Sequence, residues 1–121
     1  MKTVLIIEDN FDIRENTAEL LELEGYTVFT APNGKEGHAM AKEKLPHIIL
    51  CDVMMPEMDG HEVLIQLKQD TATANIPFIF VSASVERKEI QAGLDIGANG
   101  YLGKPFTQED LVKELNRVLQ K

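Results

Sequence analysis

The sequence has no tryptophan, a single cysteine, no long apolar run and a shortage of positive charge. Each of these absences removes a class of protein. One cysteine, Cys51, cannot close an internal disulfide and fits a reducing cytoplasm. No apolar stretch exceeds six residues, whereas a membrane-spanning helix needs roughly 20. The start, MKTVLIIED, carries a charge and an apolar run but turns acidic at once. It lacks the small-residue cleavage site of a signal peptide and reads as a first strand. With no low-complexity segment and no internal repeat, the composition is that of an ordinary globular protein. Twelve Lys and Arg against 20 Asp and Glu leave a net charge of −8. A surface of that sign repels phosphate backbones, which excludes direct nucleic-acid binding and favours cations or a partner with a basic face.

What is present is 121 residues, 44% of them apolar, enough for one domain over 1–121 that buries roughly two-thirds of its unfolded surface. TVLII (3–7), HIILC (47–51), FIFV (78–81) and the weaker YTVFTA (26–31) are continuous Val, Ile, Leu and Phe without alternation. That is the pattern of parallel strands buried on both faces. GYLG (100–103) is a short fifth candidate. Between them, helical spacing runs from Asn10 to Glu24, Lys35 to Leu45, His61 to Asp70, Glu86 to Ile96 and Thr107 to Gln120. Ile13, Thr17, Leu20, Leu21 and Leu23 form the apolar face of the first, which Gly25 ends. Pro46 stops the second. Thr107 is the expected N-cap of the last, the most regular of the five, with Leu111, Leu115 and Val118 on one face. Alternating strand and helix predicts an α/β, doubly wound parallel sheet with right-handed crossovers. In such sheets chemistry collects at the carboxyl ends of the strands.

Four of the five strand ends carry a polar or ionisable group: Glu8 and Asp9, then Asp52, Ser82, and Lys104 before Pro105. Taken singly, each has a bland reading. Asp9 or Asn10 would cap the first helix, Ser82 would bond nearby backbone, and Lys104 would be solvated. Asp52 resists this, because a carboxylate closing a buried strand needs a partner or a shifted pKa. Three carboxylates about 5 Å apart repel by on the order of 3 kcal/mol per pair at an effective dielectric near 20. One lysine cannot offset that. A hard divalent cation with oxygen ligands can, so the cluster points to Mg2+, with space for a phosphoryl group whose oxygens Lys104 and Ser82 would hold.

The stretches IIEDN (6–10), ILCDVMMPEMDG (49–60), FVSAS (80–84) and GYLGKPF (100–106) closely resemble the receiver domain of two-component response regulators, in particular the stand-alone chemotaxis-type receivers. The resemblance covers residues 2 to 120. It implies five parallel strands in the flavodoxin-like order 2-1-3-4-5, each followed by a helix. It also implies that Asp52 is the phosphoacceptor, attacking a phosphohistidine on a histidine kinase or phosphotransfer protein. Asp9, Asp52 and the backbone carbonyl of Met54 would bind Mg2+, with Mn2+ as an alternative and Glu8 acting through water. Lys104 would pair with the phosphoryl oxygens, and Ser82 and the Ala83 N–H would contact them once transfer has occurred. Tyr101 would be the switch aromatic, and a cis bond before Pro105 would aim Lys104 inward. The chain would then be a signalling domain, not an enzyme with turnover, and would act in the cytoplasm by protein contact. The contact face would be the fourth helix, fifth strand and fifth helix, since no effector sequence follows Lys121.

Met54 and Ser84 stand two residues past Asp52 and Ser82, where receivers tune phosphate lifetime. Neither is an acid or base, and bulky Met54 is expected to shield an acyl phosphate from water. Gly93 within the fourth helix costs about 1 kcal/mol relative to Ala. It signals either a marginally ordered helix or close packing. His38, His47 and His61 share no metal-ligand spacing and are expected at the surface. Cys51 is expected in the core and Asp59 at a turn or cap. A flavin mononucleotide binder of flavodoxin type needs a Ser/Thr/Gly phosphate loop where this chain has EDN. A haloacid-dehalogenase phosphatase needs an Asp where it has Met54. A pseudo-receiver without chemistry would not need all of Glu8, Asp9, Asp52, Ser82 and Lys104.

Overall fold

The computed structural model describes residues 2–120, so residues 1 and 121, the ends of the expected domain, lie outside the described residues. Five strands, β1 (Thr3–Ile7), β2 (Thr27–Ala31), β3 (Ile48–Asp52), β4 (Phe78–Ser82) and β5 (Gly100–Gly103), alternate with five helices. These are α1 (Phe11–Leu23), α2 (Gly34–Lys44), α3 (Gly60–Lys68), α4 (Arg87–Ile96) and α5 (Gln108–Leu119). The sheet is parallel throughout, in the order β2-β1-β3-β4-β5. The expected fold is the one observed.

Alternation along each strand splits the core in two. Leu5, Ile7, Ile49, Cys51, Phe78 and Phe80 pack on one face with Val63, Leu64 and Leu67 of α3 and Ala41 of α2. Val4, Ile6, Ile48, Leu50, Ile79 and Val81 pack on the other with Leu21 of α1 and Leu111, Leu115 and Val118 of α5. β2 departs from the expectation of burial on both faces. It is an edge strand: Thr27 is exposed, Val28 to Thr30 are half-buried, and only Ala31 is enclosed. The Lys44 ammonium lies 5.3 Å from the Phe29 ring and covers part of it. In α1, Leu23 does not join the apolar face; it is 73% exposed at the last helical position, and Thr17, Ala18 and Leu21 are the buried residues.

Caps set the helix ends as expected. Asn10 accepts from Ile13 N–H at the start of α1. Asp59 with Glu62, and Thr107 with Asp110, form reciprocal capping boxes on α3 and α5. Asp59 is therefore a cap. The histidines are less uniform than expected. His47 is exposed, but its Nδ1 accepts the Thr3 N–H at 2.9 Å. His61 is half-buried, its ring 5.0 Å from that of Phe80, because the start of α3 lies over β4.

Gly93 answers to packing. A Cβ there would stand 2.8 Å from Cδ2 of the fully buried Phe80 ring, so only glycine lets α4 approach β4 this closely. The helix is nevertheless thinly anchored. Gly93 is its one buried residue, and Glu86 caps it without a side-chain hydrogen bond. By contrast α5 has a capping box and three buried apolar side chains. Amide hydrogens of α4 are expected to exchange on the order of tenfold or more faster than those of α5, measured by mass spectrometry or NMR. Equal protection would show that α4 is held as firmly as α5.

Candidate functional site

The order of the sheet places the site. The chain leaves β1 for β2 on one side and returns to β3 on the other, so the crevice above the carboxyl ends of β1 and β3 is the topological switch point. Asp52 closes β3 opposite Val81, and Ser82 closes β4 opposite Gly103. Beyond the strands, the ladder continues for one more bond on each side: Glu8 N–H donates to Ala31 O at 3.1 Å and Lys104 N–H to Ser82 O at 2.8 Å. The candidate site residues are thus fixed by backbone as well as by side-chain packing. Gly60 adds to this. A Cβ there would fall 2.4 Å from the Asp52 carbonyl oxygen, so α3 can begin directly against the end of β3 only because position 60 has no side chain.

Glu8, Asp9 and Asp52 each offer a carboxylate oxygen, all within 4.8 Å of one another. Glu8 and Asp52 are only 4% and 6% exposed, whereas Asp9 is exposed. Lys104 enters from the end of β5, and its Nζ lies 2.8 Å from Glu8 Oε1 and 3.3 Å from Asp52 Oδ1. Burial, then the negative charge of Glu8, push the Asp52 carboxyl up to about 7, against the lowering pull of Lys104. Burial works to lower the Lys104 ammonium pKa, but the hydrogen bond to Glu8 and the charges of Asp52 and Glu8 outweigh it and leave it raised. Cys51, beside the cluster, is fully enclosed, and burial followed by the charges of Asp52, Glu8 and Asp59 holds its thiol well above the ordinary range. It is a protonated core residue, as expected.

The remaining expected residues gather at the same edge. Ser82 is buried and its Oγ accepts the Ser84 N–H at 3.1 Å. Tyr101 is half-buried and its hydroxyl donates to Ser84 O at 3.0 Å. Ala83 is exposed and lines a groove of about 440 Å³ with Lys104, Pro105, Phe106 and Ile13. The peptide bond between Lys104 and Pro105 is cis. Met54 follows Asp52 with 76% of its surface exposed. One contributor is not apparent from the motifs. Arg14, one turn into α1, donates from Nη1 to Glu8 O at 2.9 Å while its side chain is only 13% exposed. A cation near a helix start runs against the helix dipole, and that was the available signal. The carboxylates fit a hard divalent ion: they supply oxygen donors only, and Asp9 makes no hydrogen bond or ion pair among the described residues.

Comparison with known proteins agrees with this geometry. Residues 4–116 match the family described as "Response regulator receiver domain". The chain is 39% identical over 120 residues to the phosphate regulon transcriptional regulatory protein PhoB of Pseudomonas aeruginosa, covering 99% of this chain and 52% of that protein. It is 34% identical to protein PilH of the same organism, covering 98% of each. It therefore spans about half the length of some curated relatives and nearly all of another. Among solved structures, the chemotaxis protein CheY4 of Vibrio cholerae superposes with a TM-score of 0.94 at 34% identity, covering 98% of this chain and 99% of that one. Sheet order, the acidic crevice with its lysine, and these matches agree: the chain belongs to the response regulator receiver domain family.

Proposed function

We propose that this chain is the phosphoacceptor of a two-component relay, with Asp52 taking a phosphoryl group from a phosphohistidine on a histidine kinase or phosphotransfer protein. The observation that carries the reading is the position of Asp52: a buried carboxylate at a strand end, sharing Lys104 with Glu8 beside a third acid. An Asp52 oxygen attacks phosphorus, the P–N bond breaks, and its electron pair leaves on the imidazole nitrogen, which takes up a proton. Asp52 must be ionised to attack, and added positive charge would favour the ionised form of a carboxyl that burial and Glu8 hold up at about 7. Mg2+, or Mn2+ in its place, held by Asp9, Asp52 and the Met54 carbonyl with Glu8 nearby, would supply that charge and neutralise phosphoryl oxygens. Lys104 pairs with a phosphoryl oxygen, and the Ser82 hydroxyl and Ala83 N–H donate to the others. The protein contributes positioning and charge in place of a turnover cycle, which makes the chain a signalling domain and not an enzyme.

The contacts of Ser82 suggest how modification is read out. Its Oγ now holds the Ser84 N–H, and the Ser84 carbonyl holds the Tyr101 hydroxyl. Turning Ser82 toward a phosphoryl group releases Ser84 and changes what Tyr101 packs against. The altered surface is that of α4, β5 and α5, which a downstream protein would recognise. A net charge of −8 argues for protein contact and against direct nucleic-acid contact by this domain. The reduced, buried Cys51 suits the cytoplasm, where we place the chain.

Incubation with Mg2+ and a small acyl-phosphate donor is expected to add one phosphoryl mass to the wild type and none to Asp52→Asn. An unmodified wild type in the presence of both a small donor and a phosphohistidine donor overturns the reading.

Metal-free stability tests the electrostatics separately. Because the folded-state midpoint of Asp52 lies above its unfolded value of 3.8, its contribution to stability is complete below about pH 4 and is lost as pH rises through 7. A midpoint displaced from 3.8 to about 7 corresponds to a loss on the order of 4 kcal/mol at most. Asp52→Asn is expected to melt higher than wild type at pH 8 in chelator, with a flatter pH profile, and Mg2+ is expected to narrow the gap. A lower melting temperature for the variant would show that the acids do not crowd one another.

Exposed Met54 shields the acyl phosphate in this reading, so Met54→Asn is expected to lose phosphate roughly threefold faster or more, since water exclusion protects such intermediates. A decay rate equal to wild type would remove the shielding role.

A further inference from the structure

Glu8 has every hydrogen-bonding atom engaged inside the protein. Its N–H donates to Ala31 O at 3.1 Å and its carbonyl oxygen accepts Arg14 Nη1 at 2.9 Å. Its Oε2 accepts the Asn10 N–H at 3.2 Å, and Oε1 accepts Lys104 Nζ at 2.8 Å. Asp9, the next residue, is the opposite case: exposed, with a carboxylate that has no partner among the described residues. Lys104 divides itself unequally. It bonds Glu8 at 2.8 Å, the ideal length for a charge-assisted contact, and stands 3.3 Å from Asp52, beyond that range. Glutamate at position 8 makes this division possible. Aspartate would be one methylene shorter, and a backbone pinned at both its N–H and its carbonyl could not advance to compensate. The lysine would then settle on Asp52.

We infer that Glu8 is a positioning residue that draws Lys104 back from Asp52, leaving Asp52 and Asp9 open to a divalent cation. This rests on the phosphoacceptor reading of the site. In this arrangement the lysine competes with a cation for the nucleophile only through its longer contact. Lys104 keeps only the longer 3.3 Å contact to Asp52, while the Asp9 carboxylate has no hydrogen bond or ion pair among the described residues. Glu8 serves the ion mainly through the lysine it restrains.

The charge-preserving substitution Glu8→Asp tests this, with Mg2+ binding measured by calorimetry in the wild type, Glu8→Asp, Lys104→Met and the double variant. Glu8→Asp is expected to weaken Mg2+ binding roughly three- to tenfold, and to have no effect in the Lys104→Met background, because coupled residues show non-additive effects. An equal effect in both backgrounds means that Glu8 acts on the ion itself, and overturns the inference. No effect in either does the same. A wild type that binds no Mg2+ at all overturns the reading of the site and this inference together, a result distinct from binding without coupling. The wild type alone provides a second measurement, independent of whether the variants fold. The Lys104 Nζ proton signal in NMR is expected to stay protected from solvent exchange when Mg2+ is added. Its collapse to that of a solvated lysine would show that the ion displaces Lys104 from Glu8, and the inference would fall.

Discussion

Three negative groups and one ammonium share a corner of a rigid sheet, and most of the structure is organised around that fact. Two carboxylates within 4.8 Å repel by about 3 kcal/mol at an effective dielectric near 20. Water relieves exposed Asp9 but reaches little of Glu8 or Asp52. Lys104 is the compensating charge, and it arrives from β5, three places away from β1 in the sheet. The compensation is partial: burial first, then the charge of Glu8, hold the Asp52 carboxyl above its ordinary value against the pull of Lys104. A site left short of positive charge is one that a cation and a phosphoryl transfer can complete.

Holding such a cluster together requires strands that do not yield. Leu5, Ile7, Ile48, Ile49, Phe78, Phe80 and Ile79 are fully buried, and their alternate side chains lock the sheet between two helical layers. Burying one of these side chains contributes roughly 1.5–3 kcal/mol, so relaxing the strand ends to separate the acids would forfeit more than it relieves. The glycines serve the same end at specific places. Gly60 lets α3 start against the Asp52 carbonyl, and Gly93 lets α4 lie against Phe80.

The sheet was legible because strands buried on both faces leave continuous apolar runs, and the edge that carries the candidate site was legible because charged residues interrupt those runs at matching points. Where reading failed, the cause lies in what a neighbour supplies. Tyr26 to Ala31 looks like a buried strand, yet among the described residues no strand adjoins the outer side of β2, and Lys44 does part of the covering. Leu23 continues the apolar spacing of α1, but the helix ends there and its side chain meets solvent. His61 was expected at the surface because a ring contact with Phe80 depends on where α3 crosses β4, which spacing along one helix cannot reveal. The tie from Arg14 to the Glu8 carbonyl is invisible for the same reason, since a backbone acceptor leaves no mark on the sequence.

The differing anchorage of the helices bears on where a chemical event at Asp52 can be felt. α5 cannot move cheaply: Leu111 and Leu115 are fully buried, and Glu114 accepts the Tyr101 N–H while its partner Arg117 donates to Asn99 O. The backbone of β5 is therefore clamped to α5 along its outer edge. The Tyr101 side chain is not. Its ring stands 6.2 Å from Phe80, and its hydroxyl depends on a single carbonyl in the loop that Ser82 organises. α4, which borders that ring, buries only Gly93. A disturbance starting at Ser82 thus meets a fixed strand backbone on one side and a lightly held helix on the other. Motion follows the lower cost, so under the proposed reading the tyrosine ring and α4 would be the parts of this surface to respond, with β5 and α5 as the fixed frame.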